Sequence, residues 1–283
     1  MRHCFSVLDM ISYTENNFKS FLHYDRMIED MYFDTHAHYD DKAFDEDRDS
    51  LIAALPGEGI SLVLNASSDL ESSVQSVALA EKYPFIYAAV GIHPHEASTM
   101  NDEVLAEIRA LAAKNKVVAI GEIGLDYYYD HSPREVQRET FRLQMALAQE
   151  LSLPVIVHNR DAHEDSMEMV RAFPGIKGVF HCYSGSVEMA RELIKLGWHL
   201  SFAGPVTFKN ARKAPEVVAS MPEDRLMIET DCPYLSPVPL RGRRNDSRNI
   251  KHIAARIAEI RGTTAEHIAE VTMQNGKRFF GID

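Results

Sequence analysis

Short apolar runs alternate with longer amphipathic stretches along most of the chain. Several runs, such as 117–120 and 155–157, are continuously apolar, which is typical of strands buried on both faces. The pattern predicts eight strands, at 31–35, 60–65, 85–91, 117–122, 155–158, 178–182, 199–202 and 226–230. Between and after them it predicts helices at 49–55, 70–83, 102–114, 134–151, 165–173, 186–196, 215–220, 250–261 and 264–280.

Eight strand–helix repeats with no linker between them predict a (β/α)8 TIM barrel in a single domain, with some distortion of the ideal form allowed. A doubly wound open sheet is the competing topology, but the chain has no glycine-rich nucleotide fingerprint. The barrel is expected to span residues 31–283. Residues 1–30 show no sustained period and are expected to be an N-terminal extension, either partly ordered or the product of an upstream start codon.

Charge and composition narrow the class of protein. The 283 residues carry a net charge of −12, from 30 Lys and Arg against 42 Asp and Glu. This charge argues against a broad surface that coats nucleic acid, although a local basic cleft could still hold one strand end. The chain has three widely spaced cysteines and no secretory signal, which favours a cytoplasmic protein. It has no apolar run of about 18 residues, so it is not expected to enter the membrane. A monomer is expected.

Residues that can bind a metal stand at the ends of the predicted strands. All strands of a (β/α)8 barrel end at one rim, where active sites form. His36 and His38 share a face of the first strand, because side chains alternate along a strand. Further histidines and acids end other strands, and the candidate ligands together are His36, His38, Glu122, His158, His181 and Asp231. A lone histidine after a strand is more often structural, but so many at one rim indicate a site.

The types of ligand indicate the kind of site. Four histidines and two carboxylates, with no cysteine needed, suit Zn, Mn, Ni, Co or Fe. Mg is a further candidate, since the sequence leaves the identity of the metal open. Six ligands are too many for one tetrahedral ion and suit two divalent ions about 3.5–4 Å apart. Glu122 is the natural bridge, since a carboxylate has two oxygens and an imidazole offers one nitrogen to a metal.

Seven motifs carry this pattern along the chain. They are FDTHAH at 33–38, GIHPH at 91–95, IGEIGLDYY at 120–128, VIVHNRDA at 155–162, HCYSG at 181–185, ETDCPYL at 229–235 and RGRRN at 241–245. As a set they resemble the TatD family of metal-dependent deoxyribonucleases, within the amidohydrolase-like barrels, over residues 31–282. The family usually has Ser, Phe and Pro where this chain has Asn159, Tyr183 and Ser247, each beside a matched position.

The resemblance implies how the ligands divide between two metals. One metal would be held by His36, His38, Glu122 and Asp231, and the other by Glu122, His158 and His181. The expected activity is that of an exonuclease that cleaves phosphodiester bonds in single-stranded DNA or DNA ends with a metal-activated hydroxide. Asp231 and Glu122 are the expected catalytic residues, with Asp231 orienting the attacking water and taking its proton.

Three further residues are expected to contact the substrate, namely His93, Arg160 and Arg241. A guanidinium suits a bidentate grip on phosphate, and a salt bridge at the rim is an equally plain role for Arg160. A solvated loop is the usual explanation of a basic run such as 241–248, but its place after the predicted eighth strand favours strand contact by at least Arg241. His93 could instead form a rigid loop corner. The tyrosines at 127–129 could stack on bases, although burial between barrel and helices is the plainer role for two of them.

Two other functions stay open at this stage. Related barrels hydrolyse C–N bonds of small molecules and commonly use a carboxylated lysine as the metal bridge. The predicted fourth strand ends in Glu122 with no lysine there, which favours the nuclease. A metal-binding protein without catalysis is the third possibility. The sequence alone does not give DNA or RNA as substrate, nor the direction of cleavage.

Overall fold

The computed structural model describes residues 32–283, so the extension expected at 1–30 lies outside the described residues. Eight parallel strands form one sheet in the consecutive order β1 to β8. Their bounds are β1 Tyr32–Ala37, β2 Ile60–Asn65, β3 Ile86–Val90, β4 Val117–Asp126, β5 Val155–Arg160, β6 Gly178–Phe180, β7 His199–Phe202 and β8 Leu226–Ile228. The sheet nearly closes into a barrel, because the backbone of Asp231 and Cys232 after β8 bonds to that of His36 and His38.

An α-helix follows each of the eight strands, and a ninth ends the chain. Their bounds are α1 Arg48–Ala54, α2 Leu70–Lys82, α3 Asp102–Ala112, α4 Arg134–Leu151, α5 His163–Ala172, α6 Val187–Lys195, α7 Lys213–Ser220, α8 Ile250–Arg261 and α9 Ala265–Phe280. The predicted (β/α)8 barrel is therefore confirmed. Within residues 32–283, no helix is long and apolar enough to cross a membrane.

Two apolar clusters build the core. The larger lies between the strands and the surrounding helices. The smaller joins one residue from each of seven strands to Phe279, Phe280 and Ile282 at the C-terminus. Asn275 in α9 donates to the carbonyl oxygen of Leu226, the first residue of β8. The C-terminal segment thus covers the end of the barrel where the strands begin, and the opposite rim is left to polar side chains.

The strand limits depart from the sequence pattern where polar residues enter the sheet. β2 and β7 have the predicted bounds, but β4 runs four residues further, to Asp126. It does so through an irregular register between Ile120 and Ile123, after which it pairs with β5 as far as Arg160. β6 and β8 end two residues early, because Cys182 and Asp231 turn the backbone to φ values of 41° and 56°.

Two helices, α4 and α8, have the predicted bounds, and the limits of the others differ by one or two residues. In two of them the expected first residue is a cap. Ser186 and Thr264 lie just before α6 and α9 and accept from backbone N–H groups there. The expectation that α7 opens on Pro215 is wrong, since the helix begins at Lys213. Proline is still tolerated within that first turn, where backbone N–H groups have no partner inside the helix.

Gly178 at the start of β6 offers a test of the packing between barrel and helices. A Cβ at this position would overlap the buried Trp198 ring, which packs against Phe180. We expect Gly178→Ala to lower the free energy of unfolding by about 1–3 kcal/mol, because a well-packed core does not take an extra carbon without strain. Gly57→Ala is the control, since a Cβ there meets open space. Equal stability of both variants in urea unfolding would contradict this account.

Candidate metal centre

The six predicted ligands lie together at the rim where the strands end. His36 and Glu122 are in β1 and β4, His158 is in β5, and the others follow β1, β6 and β8 directly or within three residues. Their side chains are buried or nearly so, with exposed fractions from 0% for His36 to 17% for His158. The sheet order therefore gathers residues that are up to 195 positions apart in sequence, from His36 to Asp231.

Glu122 is at the centre of this group. Its Oε1 atom lies 2.7 Å from Nδ1 of His158 and 2.7 Å from Nε2 of His181. Its Oε2 atom lies 3.2 Å from Nε2 of His36 and 3.7 Å from Nε2 of His38. Each carboxylate oxygen thus faces a separate set of imidazoles. This is the arrangement in which one carboxylate can serve two neighbouring cation positions.

Asp231 completes the side of the group formed by β1 and β8. Its Oδ1 atom lies 3.3 Å from Nε2 of His38 and 3.8 Å from Nε2 of His36. Its backbone N–H donates to the carbonyl oxygen of His36, which fixes the turn that aims the carboxylate inward. The left-handed backbone at Asp231 is uncommon for a residue other than glycine, and such residues often mark functional sites.

Three overlapping groups have ligand atoms close enough to share one ion. They are His36, Glu122 and His181; His36, His38 and Asp231; and His93, Glu122 and His158. His93 was expected to contact substrate, yet its Nε2 atom lies 3.5 Å from Oε1 of Glu122. Its Nδ1 atom accepts from the backbone N–H of His95, so Nε2 carries the proton in the neutral ring. A ring in that form donates a hydrogen bond and does not bind a metal.

The electrostatics of the group favour a bound cation. Burial opposes protonation of His38, but Asp231 and Glu122 outweigh it and raise the pKa of His38 to about 9. Burial likewise opposes protonation of His181, whereas Glu122 and Glu229 raise its pKa well above the ordinary value. The negative potential that holds protons on these rings would equally hold a divalent ion, whose binding displaces the protons. His, Asp and Glu donors at such a place fit a catalytic divalent metal.

Hydrogen-bond acceptors hold three of the ligand rings from behind. Nδ1 of His38 lies 3.0 Å from the carbonyl oxygen of Ala66. Nδ1 of His181 lies 3.2 Å from Glu229, and Nε2 of His158 lies 3.0 Å from Asp126. Such acceptors fix which nitrogen carries the proton and leave the other free for a metal.

Asp126 and Glu229 were missed by the sequence reasoning as residues of the site. Both are buried carboxylates inside the matched motifs. Asp126 stands four residues after Glu122, so in an extended strand it lies on the same face, and this spacing could have indicated it. Glu229 had no local signal, because its partner His181 is 48 positions away.

Asp126 also connects the candidate ligands to the turn that carries Tyr128 and Tyr129, called the aromatic turn below. Its Oδ1 atom accepts from the backbone N–H groups of Tyr128 and Tyr129, while Oδ2 faces His158 and His95, each at 3.0 Å. Four partners hold the carboxylate ionised, so the pKa of Asp126 lies well below its usual range despite burial. The turn that carries the two tyrosines and the ring of His158 are therefore positioned by one carboxylate.

Five of the six candidate ligands, all except the buried His36, line a cavity of about 750 Å³ that opens at the rim. Arg160 lines it and stacks over both tyrosines of the turn, with its guanidinium 4.2 Å from the Tyr128 ring and 4.8 Å from the Tyr129 ring. The expectation that two tyrosines of 127–129 are buried is wrong. Tyr128 and Tyr129 are 59% and 49% exposed, and only Tyr127 packs partly against the core.

Two of the four arginines in the basic run 241–248 form salt bridges with acids. Arg244 pairs with Asp47, and Arg248 pairs with Asp246. The guanidinium of Arg241 stacks 3.9 Å from the Phe208 ring, and Arg241 does not line the cavity. Its contact with substrate stays a prediction.

Two of the three departures from the family pattern make hydrogen bonds near the metal centre. Ser247 donates from Oγ to Asp34 and from its backbone N–H to the Tyr39 hydroxyl, a bond that proline could not make. Asn159 lines the cavity and bonds to His163 in α5. Tyr183 donates to the carbonyl oxygen of Ser186 instead. None of the three displaces a ligand.

Asp126→Asn should weaken the binding of divalent metal. An amide in this place turns an N–H donor towards either His158 or the backbone N–H groups, so one side loses its acceptor. We expect the affinity for Zn²⁺ to fall about 10–100-fold, measured by competition with a chelator. Asp165→Asn is the matched control, because Asp165 on α5 bonds to Tyr127 and Arg138 and to no ligand ring. Unchanged affinity in Asp126→Asn would refute the positioning role.

Comparisons with known proteins identify the family of the chain. The family model described as TatD related DNase matches residues 33–281. A metal-dependent hydrolase of uncharacterised function from Bacillus subtilis, YabD, is 47% identical over 255 residues, which cover 89% of this chain and 100% of the relative. The 3'-5' ssDNA/RNA exonuclease TatD of Cronobacter sakazakii is 38% identical over 88% of this chain and 97% of its own.

A solved structure supports the same assignment. The crystal structure of YJJV, a TatD homologue from Escherichia coli, superposes with a TM-score of 0.84 at 29% identity and covers 91% of this chain and 100% of its own. Together, the matched model and relatives show that the chain belongs to the TatD family of metal-dependent hydrolases.

Proposed function

We propose that this protein is a metal-dependent exonuclease that shortens single-stranded nucleic acid from the 3' end. The observation that carries the proposal is one cavity that holds both the ligands around Glu122 and the Arg160 guanidinium stacked on Tyr128 and Tyr129. The name of the Cronobacter relative supports a single-stranded DNA or RNA substrate. The Bacillus relative is named only as a metal-dependent hydrolase. A monomer acting in the cytoplasm is part of the proposal.

Two divalent ions would share the centre, with Glu122 between them. His36, His38 and Asp231 are the other ligands of one position, and His158 and His181 are those of the second. When bound, such ions supply Lewis acidity that activates water and neutralises charge on a phosphate. The two oxygens of the Glu122 carboxylate support this division, because Oε2 faces His36 and His38 whereas Oε1 faces His158 and His181.

The chain's own residues would orient the water and the phosphate. Asp231 accepts from His38, and this bond with the nearby histidines lowers the pKa of Asp231 although burial opposes it, so the group stays an ionised acceptor. It would orient the attacking water and take its proton. Burial lowers the pKa of His93 to about 4, so its ring is neutral and offers the Nε2 proton to a phosphate oxygen. That role suits the tautomer set by His95.

Arg160 and the aromatic turn would hold the strand beside the metals. Within residues 32–283 the Arg160 guanidinium has no carboxylate partner, so its donors are available to a phosphate. The exposed faces of Tyr128 and Tyr129 suit stacking with bases, which contributes about 1–3 kcal/mol per base in single-strand binding proteins. Hydrolysis of a C–N bond needs neither feature. A glutamate also stands where those enzymes commonly have a carboxylated lysine.

Asp231→Asn tests the catalytic assignment. We expect the fold to be retained and turnover on a 5'-labelled single-stranded oligonucleotide to fall by about 10²–10⁴, because a positioned proton acceptor is lost. Metal content measured on the same sample separates loss of the acceptor from loss of a ligand. Asp224→Asn, remote from the rim at the start of β8, is the control. Near-native turnover of Asp231→Asn, or cleavage of a cyclic amide in place of the oligonucleotide by the unaltered enzyme, would refute the proposal.

Arg160→Gln tests the grip on the strand. We expect KM for the oligonucleotide to rise about tenfold or more while kcat changes little, because the lost guanidinium binds a phosphate that does not react. A small neutral phosphate ester should be cleaved as before. Arg171→Gln is the control, since Arg171 pairs with Glu192 on the exposed face between α5 and α6. An equal effect of both substitutions would show that only general charge matters.

A further inference from the structure

The cavity around the metal centre has two opposite walls of different charge. β4 and β5 are neighbours on one side of the barrel, whereas β8 meets β1 on the other side, where the barrel closes. Arg160 at the end of β5 is the one Lys or Arg among residues 32–283 that lines the cavity. Asp40 and Asp41, just after β1, line the opposite wall.

The β8–β1 wall combines these acids with an exposed aromatic ring. Tyr234 is 53% exposed, and its ring lies 6.3 Å from that of the metal ligand His38. Its hydroxyl donates to Oδ2 of Asp41 at 2.6 Å, and Oδ1 of Asp41 caps the backbone N–H of Ala43. Asp40 accepts from Asn65 at 2.7 Å. Both carboxylates are thus held by neutral donors. Among the described residues no Lys or Arg forms a salt bridge with either of them, and Arg48 donates only to their backbone carbonyl oxygens.

Other acids near the cavity do not reproduce this wall. Both carboxylate oxygens of Asp126 already have hydrogen-bond partners, which are His158, His95 and two backbone N–H groups. Glu96 is exposed on the loop after β3, between the two walls. A strand that crosses the metal centre therefore meets an unpaired cation on one side and two fixed anions beside an aromatic face on the other.

We propose that the β8–β1 wall receives the last nucleoside of the strand and selects strands that end in a free hydroxyl over strands that end in a phosphate. Asp41, with Asp40 beside it, accepts a hydrogen bond from the terminal hydroxyl, and the Tyr234 ring packs against the nucleoside. The inner phosphates cross the metal centre towards Arg160. This specificity rests on the proposed nuclease function.

The physical basis is the difference in charge between the two ends. A hydroxyl is neutral and can donate to a carboxylate, which makes a hydrogen bond stronger than one between neutral groups. A terminal phosphate brings up to two negative charges and no strong donor. Repulsion from two carboxylates at a half-solvated surface amounts to about a tenfold difference in binding or cleavage.

The test uses two oligonucleotides of one sequence that carry a 5' fluorophore and end in either a 3'-hydroxyl or a 3'-phosphate. We expect the metal-loaded enzyme to show a kcat/KM about tenfold higher for the hydroxyl end. Asp41→Asn, and the double substitution Asp40→Asn with Asp41→Asn, should bring this ratio close to one by accelerating cleavage of the phosphate end. Glu96→Gln is the matched control, because it removes a carboxylate from the same cavity away from the wall, and the ratio should not change.

Binding is measured separately by fluorescence anisotropy, with a phosphorothioate at the terminal linkage to prevent cleavage. The hydroxyl end should bind more tightly to the unaltered enzyme and lose that advantage in the Asp41→Asn protein. Equal binding and cleavage of both ends by the unaltered enzyme, or a ratio that the asparagine variants do not change, would overturn the inference. Failure to shorten either oligonucleotide would instead refute the nuclease function, and the ratio of binding affinities would still decide the preference for the end.

Discussion

A carboxylate buried among imidazoles is the constraint on which the rest of this structure depends. Glu122 is 3% exposed and has ring nitrogens of five histidines within 3.7 Å of its oxygens. A buried carboxylate is strongly unfavourable unless positive charge or hydrogen-bond donors surround it. Those donors come from β1, β5 and the loops after β1, β3 and β6, so only a nearly closed barrel can place all of them around β4. The closure of the barrel and the grouping of these histidines around Glu122 are thus one requirement.

The division of the barrel into an apolar end and a polar end follows from the same requirement. The C-terminal residues Phe279, Phe280 and Ile282 fill the end where the strands begin, which gives the barrel its packing without side chains from the rim. The rim can then hold ionisable groups, provided each ring is oriented. Asp126, Glu229 and the carbonyl oxygen of Ala66 do this for three rings. His36 has no such acceptor at Nδ1 within the described residues and instead stacks on His181, with ring centroids 4.1 Å apart.

Much of this organisation could be predicted from the sequence, because it follows from residue types at regular places. Alternating apolar runs and amphipathic stretches predicted the barrel, and the rule that barrel strands end at one rim grouped His36 with Asp231. What could not be predicted depends on contacts between distant segments or on backbone angles. Glu229 is defined by a partner 48 residues away. The turns at Cys182 and Asp231 that end β6 and β8 have no sequence signal, since left-handed backbone is expected of glycine.

For the proposed binding of a strand end, the placement of charges around the cavity matters more than the net charge of the chain. The sequence predicted substrate contacts at His93, Arg160 and Arg241, the last within the basic run 241–248 of a chain whose net charge is −12. In the structure Arg244 and Arg248 are already paired, and the one cation that lines the cavity is Arg160, fixed by stacking rather than by an acid. A single phosphate contact of this kind contributes a slope of only about −0.7 in the dependence of binding on salt for a single strand. An acidic protein can therefore act on a strand end without attracting nucleic acid over its whole surface. In the proposed selection of strand ends, the fixed carboxylates of Asp40 and Asp41 would determine which end can enter.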